Sequence, residues 1–315
     1  GKNIGNRRKG EMTMMKLGLH TAILAGYTFE QVVDYAAATG FESLEVCCWP
    51  QEPAARRYAG VTHIDVDGLT EEKAEAYLGY AQARGIKIAA LAYFPNPLSD
   101  EPEVAEKSRK HLYKVIDAAK LMDIRLVTTF IGRDKTKNVE ENLEMMEAVW
   151  PPILSYARER GVRIAIENCP MYFTKDEWPG GNNLATTPEI WRRMFAMGPN
   201  IGLCFDPSHM VLLGMNVWKP VEEFAEHIFH IHLKDLQIDQ DKVEEYGRFT
   251  YPGLWHTPKL PGHGDVDFAK LITKLNEIGY SGSACLECED RAFERTPEDI
   301  RHGIEVAYRY LHTLM

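Results

Sequence analysis

The sequence has no run near the roughly 20 apolar residues that a membrane-spanning helix needs. Its first 13 residues, GKNIGNRRKGEMT, lack the apolar centre of a secretory signal. They are polar and basic, and are expected to be a disordered or tag-like leader ahead of a catalytic domain over 14–315. Positive charge is scarce: 36 Lys and Arg face 46 Asp and Glu, for a net charge of −10. Such a balance disfavours a polyanion as the main partner, so neither nucleic acid nor a membrane is expected. The six cysteines, Cys47, Cys48, Cys169, Cys204, Cys285 and Cys288, lack the spacing of a secreted disulfide framework. Cys285 and Cys288 form a CxxC within a strand-like run, where residues three apart point to opposite faces. A redox pair is therefore disfavoured, and a cytoplasmic setting is expected. A phosphate-cradling glycine turn is missing too, because Gly18-Leu19-His20 is no GxGxxG.

What is present is alternation. Short strand-like runs fall at 16–20, 43–49, 87–94, 125–132, 163–169, 201–207, 228–235 and 283–289. Helical patterns separate them near 28–39, 70–84, 102–122, 138–160, 187–197, 219–227 and 266–279, with a last one near 296–312. Thr70-Glu71-Glu72, Thr187-Pro188-Glu189 and Thr296-Pro297-Glu298 read as helix starts. Gly40, Gly85, Gly161 and Gly279 sit where helices should stop. Eight strand–helix units in 315 residues predict an α/β fold, a single (β/α)8 TIM barrel. Two long loops, roughly 171–186 and 236–265, follow strands and so belong to the catalytic face.

Strand parity then selects the inward side chains. Ile164 and Ile166, Leu203 and Phe205, Ile231 and Leu233, and Ala284 and Leu286 alternate with Glu167, Asp206, His232 and Glu287. Four successive strands thus point Glu, Asp, His and Glu into one volume. Three converging carboxylates repel one another unless positive charge lies between them. With one imidazole the set suits one divalent ion, with Mn²⁺ expected and Co²⁺, Mg²⁺ or Zn²⁺ as alternatives. Such an ion polarises a carbonyl and stabilises an enediolate. Glu167 and Glu287, on strands five and eight, can flank a substrate and move a proton at the adjacent carbon.

In IAIEN, CFDPSH, HIHLKD and CLECED the chain resembles the xylose isomerase-like barrel superfamily, and within it the sugar isomerase/epimerase family. The resemblance spans roughly residues 15–312. It implies that Glu167 and Glu287 are the acid/base pair, that both bind metal, and that Asp206 and His232 complete the ligands. It also implies that His209 meets substrate oxygens. The HIHLKD segment and PGHGDVDF (261–268) look more like inosose dehydratases, which brings Lys234 and His263 into the expected substrate site. Two positions depart from the epimerases: Phe173 stands where a further glutamate is common, and Ile238 where an arginine is common. In the epimerases both positions help to hold a free ketose, so the departures point away from one, and the aromatic loop YGRFTYPGLWH (246–256) is placed to cover a larger sugar or a glycoside. His20 and Glu45 share the inward parity at the ends of strands one and two, and Trp49 on the next loop can stack on a sugar face. His230, one layer deeper, reads as a core histidine.

The expected function is thus a metal-dependent sugar epimerase or isomerase, with an inosose or keto-sugar dehydratase as the alternative. The partner is a small sugar, keto-sugar or cyclitol, and a dimer or tetramer is compatible with the sequence. A nuclease of the apurinic endonuclease kind needs more histidines after strands three and four, where this chain has LAYFPNP and TTFIGRD. A non-catalytic sugar-binding barrel would have no use for two glutamates.

Overall fold

Parity in the strands decides the fold. In a computed structural model describing residues 14–53, 58–171 and 181–315, eight parallel strands close into a barrel. In chain order they are β1 (Lys16–His20), β2 (Ser43–Cys47), β3 (Lys87–Ala92), β4 (Leu126–Thr129), β5 (Arg163–Glu167), β6 (Ile201–Phe205), β7 (Ile228–Leu233) and β10 (Ser283–Leu286). β1 pairs with both β2 and β10, which closes the ring. The expected leader lies outside the described residues.

The outward residues Ile164, Ile166, Leu203, Phe205, Ile231 and Leu233 join one apolar layer with the helices. Those helices include α1 (Phe29–Thr39), α2 (Glu71–Gln82), α3 (Pro102–Leu121), α4 (Val139–Glu159) and α5 (Pro188–Phe195), with α10 (Pro297–His312) closing the chain. The inward side is plugged by a smaller set: Ala90, Leu126, Ala165, Cys204 and Phe229. Above that plug the axis is free for polar side chains. Among the described residues no helix is long and apolar enough to cross a membrane.

The stop and start signals act as read. Gly40, Gly85, Gly161 and Gly279 all take positive φ, and Thr70 and Thr296 cap their helices. Thr187 makes no side-chain cap bond; there Pro188, with its preset φ, starts α5.

The structure departs from the sequence pattern in three places. Helix α6 (Pro207–Leu212) starts directly after β6, because Asp206 accepts the Ser208 amide (2.9 Å) and Pro207 fills the first turn. The helix expected near 219–227 is a short one, α7 (Trp218–Glu223), followed by a 3-10 turn over Ala225–His227. The long loop after β7 contains an antiparallel hairpin, β8 (Asp235–Ile238) with β9 (His256–Lys259), enclosing α8 (Gln240–Tyr246). Leu236 and Trp255 of the hairpin bury against Leu212 of α6, and Arg248 donates to the Leu212 carbonyl at 2.6 Å. From this hairpin the chain enters the turn before α9 (Phe268–Glu277).

Asp235 ties that turn down. Its buried carboxylate accepts the backbone N–H groups of Leu236 (2.8 Å), Gly262 (3.0 Å), Gly264 (2.9 Å) and Val266 (3.0 Å). A side chain at Gly264 would run into the Asp235 carboxylate and the Leu236 carbonyl, which explains that glycine. Asp235→Ala leaves these amides without their acceptor. It is expected to lower the unfolding free energy by about 2–4 kcal/mol in urea denaturation.

Burial lowers the His256 imidazole to about 4, and the nearby His209 adds to the effect. The folded value lies below the ordinary 6.5, so the unfolded chain binds the proton first as pH falls. The stability this group contributes is full above about 6.5 and is lost toward about 4, on the order of 3 kcal/mol in all. A His256→Gln variant should show a flatter stability profile over that window when unfolding is followed by fluorescence.

Candidate active site

At the C-terminal end of the barrel β5, β6, β7 and β10 end together, and their inward side chains meet. Donor atoms of Glu167, Asp206, His232 and Glu287 all lie within 4.8 Å of one another. The first three are buried and Glu287 is nearly so. Nδ1 of His232 lies 2.7 Å from Glu167 Oε1 and 3.0 Å from Glu287 Oε2. Glu287 follows directly on β10, whose register sets Cys285 beside His232.

Asp206 divides its two oxygens. Oδ1 caps α6, accepting the Ser208 amide and its hydroxyl (2.6 Å). Oδ2 faces the cavity, 3.2 Å from Lys234 Nζ and 3.3 Å from His209 Nε2. Burial alone would raise this carboxyl, but His209 and Lys234 hold it well below the usual carboxylate range. Glu287 behaves alike: burial opposes its ionisation, while Lys234 and His232 keep it ionised. Lys234 Nζ is 3.5 Å from Glu287 Oε2. Burial would discharge this lysine, and Asp206 and Glu287 raise it well above its ordinary value instead.

The strand ends are fixed by side-chain amides. Asn168 donates to the Asp206 carbonyl (3.0 Å) and accepts the Asp206 amide (2.8 Å), tying β5 to β6. Asn183 donates to the carbonyls of Glu167 (3.0 Å) and Cys169 (2.7 Å) and accepts the amides of Ile131 and Gly132. The backbone under the carboxylates is therefore held from both sides.

Glu45 is the residue whose weight parity did not reveal. It is fully buried, and its Oε1 is 2.7 Å from His232 Nε2 and 3.1 Å from His230 Nε2. Its Oε2 accepts the Thr128 hydroxyl at 2.5 Å. His20 Nδ1 approaches to 3.5 Å, and the His20 ring stacks on His232 at 5.3 Å. Burial would raise Glu45, yet His232, His20 and His230 hold it well below the ordinary value. Inward parity on β2 pointed at Glu45, but a contact across the barrel axis is not written in one strand's alternation. His230 is the hydrogen-bonded core histidine that was expected.

The opposite wall is apolar. Phe94, Phe130, Cys169 and Met171 pack together after β3, β4 and β5, with half-buried Trp49 against them. Trp49 meets Tyr93 edge-on at 4.9 Å. The structure thus gathers Glu167, Asp206, His209, His232, Lys234, Glu287 and His20, and sets Trp49 on the flank. His263 stands apart, exposed on the turn that Asp235 holds, with its ring 6.0 Å from Phe293. Phe173 lies outside the described residues, and Ile238 is in β8. Glu289 was passed over; burial and the Glu287 carboxylate outweigh Lys234 and push it up to about 7.

Comparison with known proteins agrees with this architecture. The family profile described as "Xylose isomerase-like TIM barrel" matches residues 33–310. The uncharacterized protein YfiH of Bacillus subtilis (strain 168) is 27% identical over 318 residues, covering 92% of this chain and 97% of that protein. An inosose dehydratase of Lacticaseibacillus casei is 24% identical over 289 residues, covering 86% and 85% of the two chains. A crystal structure of D-psicose 3-epimerase from Clostridium cellulolyticum H10 superposes with a TM-score of 0.68 at 14% identity, over 95% of this chain and 99% of that one. The chain belongs to the xylose isomerase-like TIM barrel family.

Proposed function

We propose that the chain is a divalent-metal-dependent sugar epimerase or isomerase that moves a proton next to a carbonyl. The observation that carries this reading is the convergence of Glu167, Asp206, His232 and Glu287 within 4.8 Å. Oδ2 of Asp206 and Oε2 of Glu287 are buried without a hydrogen-bond partner of good geometry, although cations crowd them. Buried carboxylate oxygens left in that state favour a metal ion. Three oxygens and one imidazole nitrogen fit Mn²⁺ and its neighbours in hardness. A cation held there supplies Lewis-acid polarisation of a substrate carbonyl.

The rest is chemistry of the chain itself. Glu167 and Glu287 reach the cavity from β5 and from the end of β10, 2.7 Å and 3.0 Å from His232 Nδ1. One takes the proton from the carbon beside the carbonyl, and the other returns a proton from the opposite side. Lys234 and His209 offer N–H groups to sugar oxygens, and the Trp49–Phe94–Phe130 wall suits the C–H face of a sugar ring. The ends of β3 and β4 present Phe94 and Phe130 rather than imidazoles, which disfavours nuclease chemistry.

One observation favours a dehydratase as the second reading. Glu289 is a further carboxyl beside Lys234 and Glu287 that can protonate a departing β-hydroxyl. The inosose dehydratase relative is in keeping with it.

The test is NMR of the Mn²⁺-loaded protein with ketoses, keto-glycosides and inososes in D2O. Deuterium wash-in with a new diastereomer supports epimerisation, an aldose supports isomerisation, and a dehydrated diketone supports the lyase. Glu167→Gln and Glu287→Gln should each lower turnover by about 10²–10⁴-fold. Absence of exchange with every substrate, with both variants matching wild type in metal affinity, would sink the proposal. Glu45→Gln should weaken Mn²⁺ binding about 10–100-fold by calorimetry, because the orienting partner of His232 loses its charge.

A further inference from the structure

The hairpin after β7 brings an imidazole to the flank of the site. β9 pairs with β8 so that His256 stands opposite Ile238 and Pro258 opposite Leu236. Residues paired across two strands, and those two apart along one strand, share a face. On this face Leu236 buries against Leu212 of α6. His209 lies three residues before Leu212 on the same helix, and so on the same side of it. His256 therefore looks toward the helix that carries His209, close enough that His209 disfavours a charge on it.

The His256 ring is fixed in both tautomer and orientation. Its Nε2 accepts the backbone N–H of Gly253 at 3.0 Å. A backbone amide can only donate, so Nε2 carries the lone pair and the proton sits on Nδ1. Burial acts in the same direction, holding the imidazole neutral down to about 4. Trp255, itself buried, meets the ring edge-on at 4.9 Å. Arg248 lies 4.9 Å over the Trp255 ring while it donates to the Leu212 carbonyl, which ties the assembly to α6. Among the described residues the Nδ1–H has no acceptor. A half-buried donor locked in one geometry and left without a partner is preorganised for an oxygen from outside the chain.

We propose that His256 is a substrate-binding residue whose Nδ1–H donates to a sugar oxygen away from the reacting carbons. The contact presupposes that the site takes a sugar, as proposed, and names the residue that holds the sugar's far end. Glu167, Asp206, His232 and Glu287 gather at strand ends inside the barrel. His256 reaches in from the hairpin beside α6, so the oxygen it meets belongs to a different part of the ligand. Hydroxyl, ring and glycosidic oxygens can all accept this bond. The hairpin, rather than the barrel, then reads that end of the sugar.

Substitution separates the two ring nitrogens. An asparagine amide can place an N–H near the position of Nδ1, and a glutamine carbonyl can place an acceptor near that of Nε2. The probes are D-fructose, methyl β-D-glucoside and myo-inositol, added to the Mg²⁺-loaded protein carrying ¹⁵N-labelled histidine and followed by NMR. The free protein should show His256 as the Nδ1–H tautomer at neutral pH. At least one probe should shift its Nδ1 more than its Nε2. That probe should bind about 3–10-fold more weakly to His256→Gln, the loss of one neutral hydrogen bond, and keep its affinity for His256→Asn. A merely structural ring predicts the opposite order, because only glutamine keeps the acceptor for Gly253. His256→Asn binding no better than His256→Gln overturns the proposal. So does a probe that shifts His209 and His232 while His256 stays still, a wild-type result that needs neither variant to fold. No shift at any of the three histidines with every probe would overturn the sugar reading itself, and this contact with it.

Discussion

Mutual repulsion among buried carboxylates is the constraint on which this molecule is built. Glu45, Glu167, Asp206 and Glu287 all project into the upper half of one barrel, where little water reaches them. Like charges this close in a poorly solvated interior would protonate or push the strands apart. The barrel answers with imidazoles and one ammonium. His232 stands at the centre, with one nitrogen toward Glu45 and the other toward Glu167 and Glu287. Burial would lower its proton affinity, but Cys204 and the surrounding carboxylates raise it well above the ordinary histidine range. The same negative field that holds that proton makes the site receptive to a metal ion.

The neighbouring structure serves to keep that arrangement rigid. Asn168 and Asn183 clamp the strand ends so that the carboxylates cannot relax by sliding apart. Asp206 uses one oxygen to start a helix, which orients the other oxygen and brings His209 alongside. The aliphatic faces of β5, β6 and β7 pack outward against helices, leaving the axis to polar groups. Packing and chemistry are thus assigned to opposite parities of the same strands. A one-residue slip would exchange them.

That division is also why the barrel and its inward polar residues were legible in the sequence. Alternation in IAIE, GLCFD and HIHLK places Glu167, Asp206 and His232 on one side without knowledge of any contact. Glu287 follows from the same logic one strand further on. Glu45 had the right parity, but its importance comes from partners on β4, β7 and β1, and periodicity in one strand carries no information about those distances. Helix α6 is too short for a hydrophobic period, so only Asp206-Pro207 announced it. His263 sits in a motif resembling those of dehydratases, yet the motif's glycines and Asp235 explain the turn by backbone bonding alone.

The hairpin after β7 is fastened at its root twice. Asp235 pairs with Lys259 across the hairpin, and the Asp235 carboxylate grips the following turn. Chain between those fastenings can change length and composition without altering the register of the barrel strands. Its buried side packs on a small apolar patch of α6, while Tyr246, Phe249 and Tyr251 face outward. The segment is therefore an exchangeable module. A protein engineer can graft a different segment there while the carboxylates at the barrel strand ends keep their places.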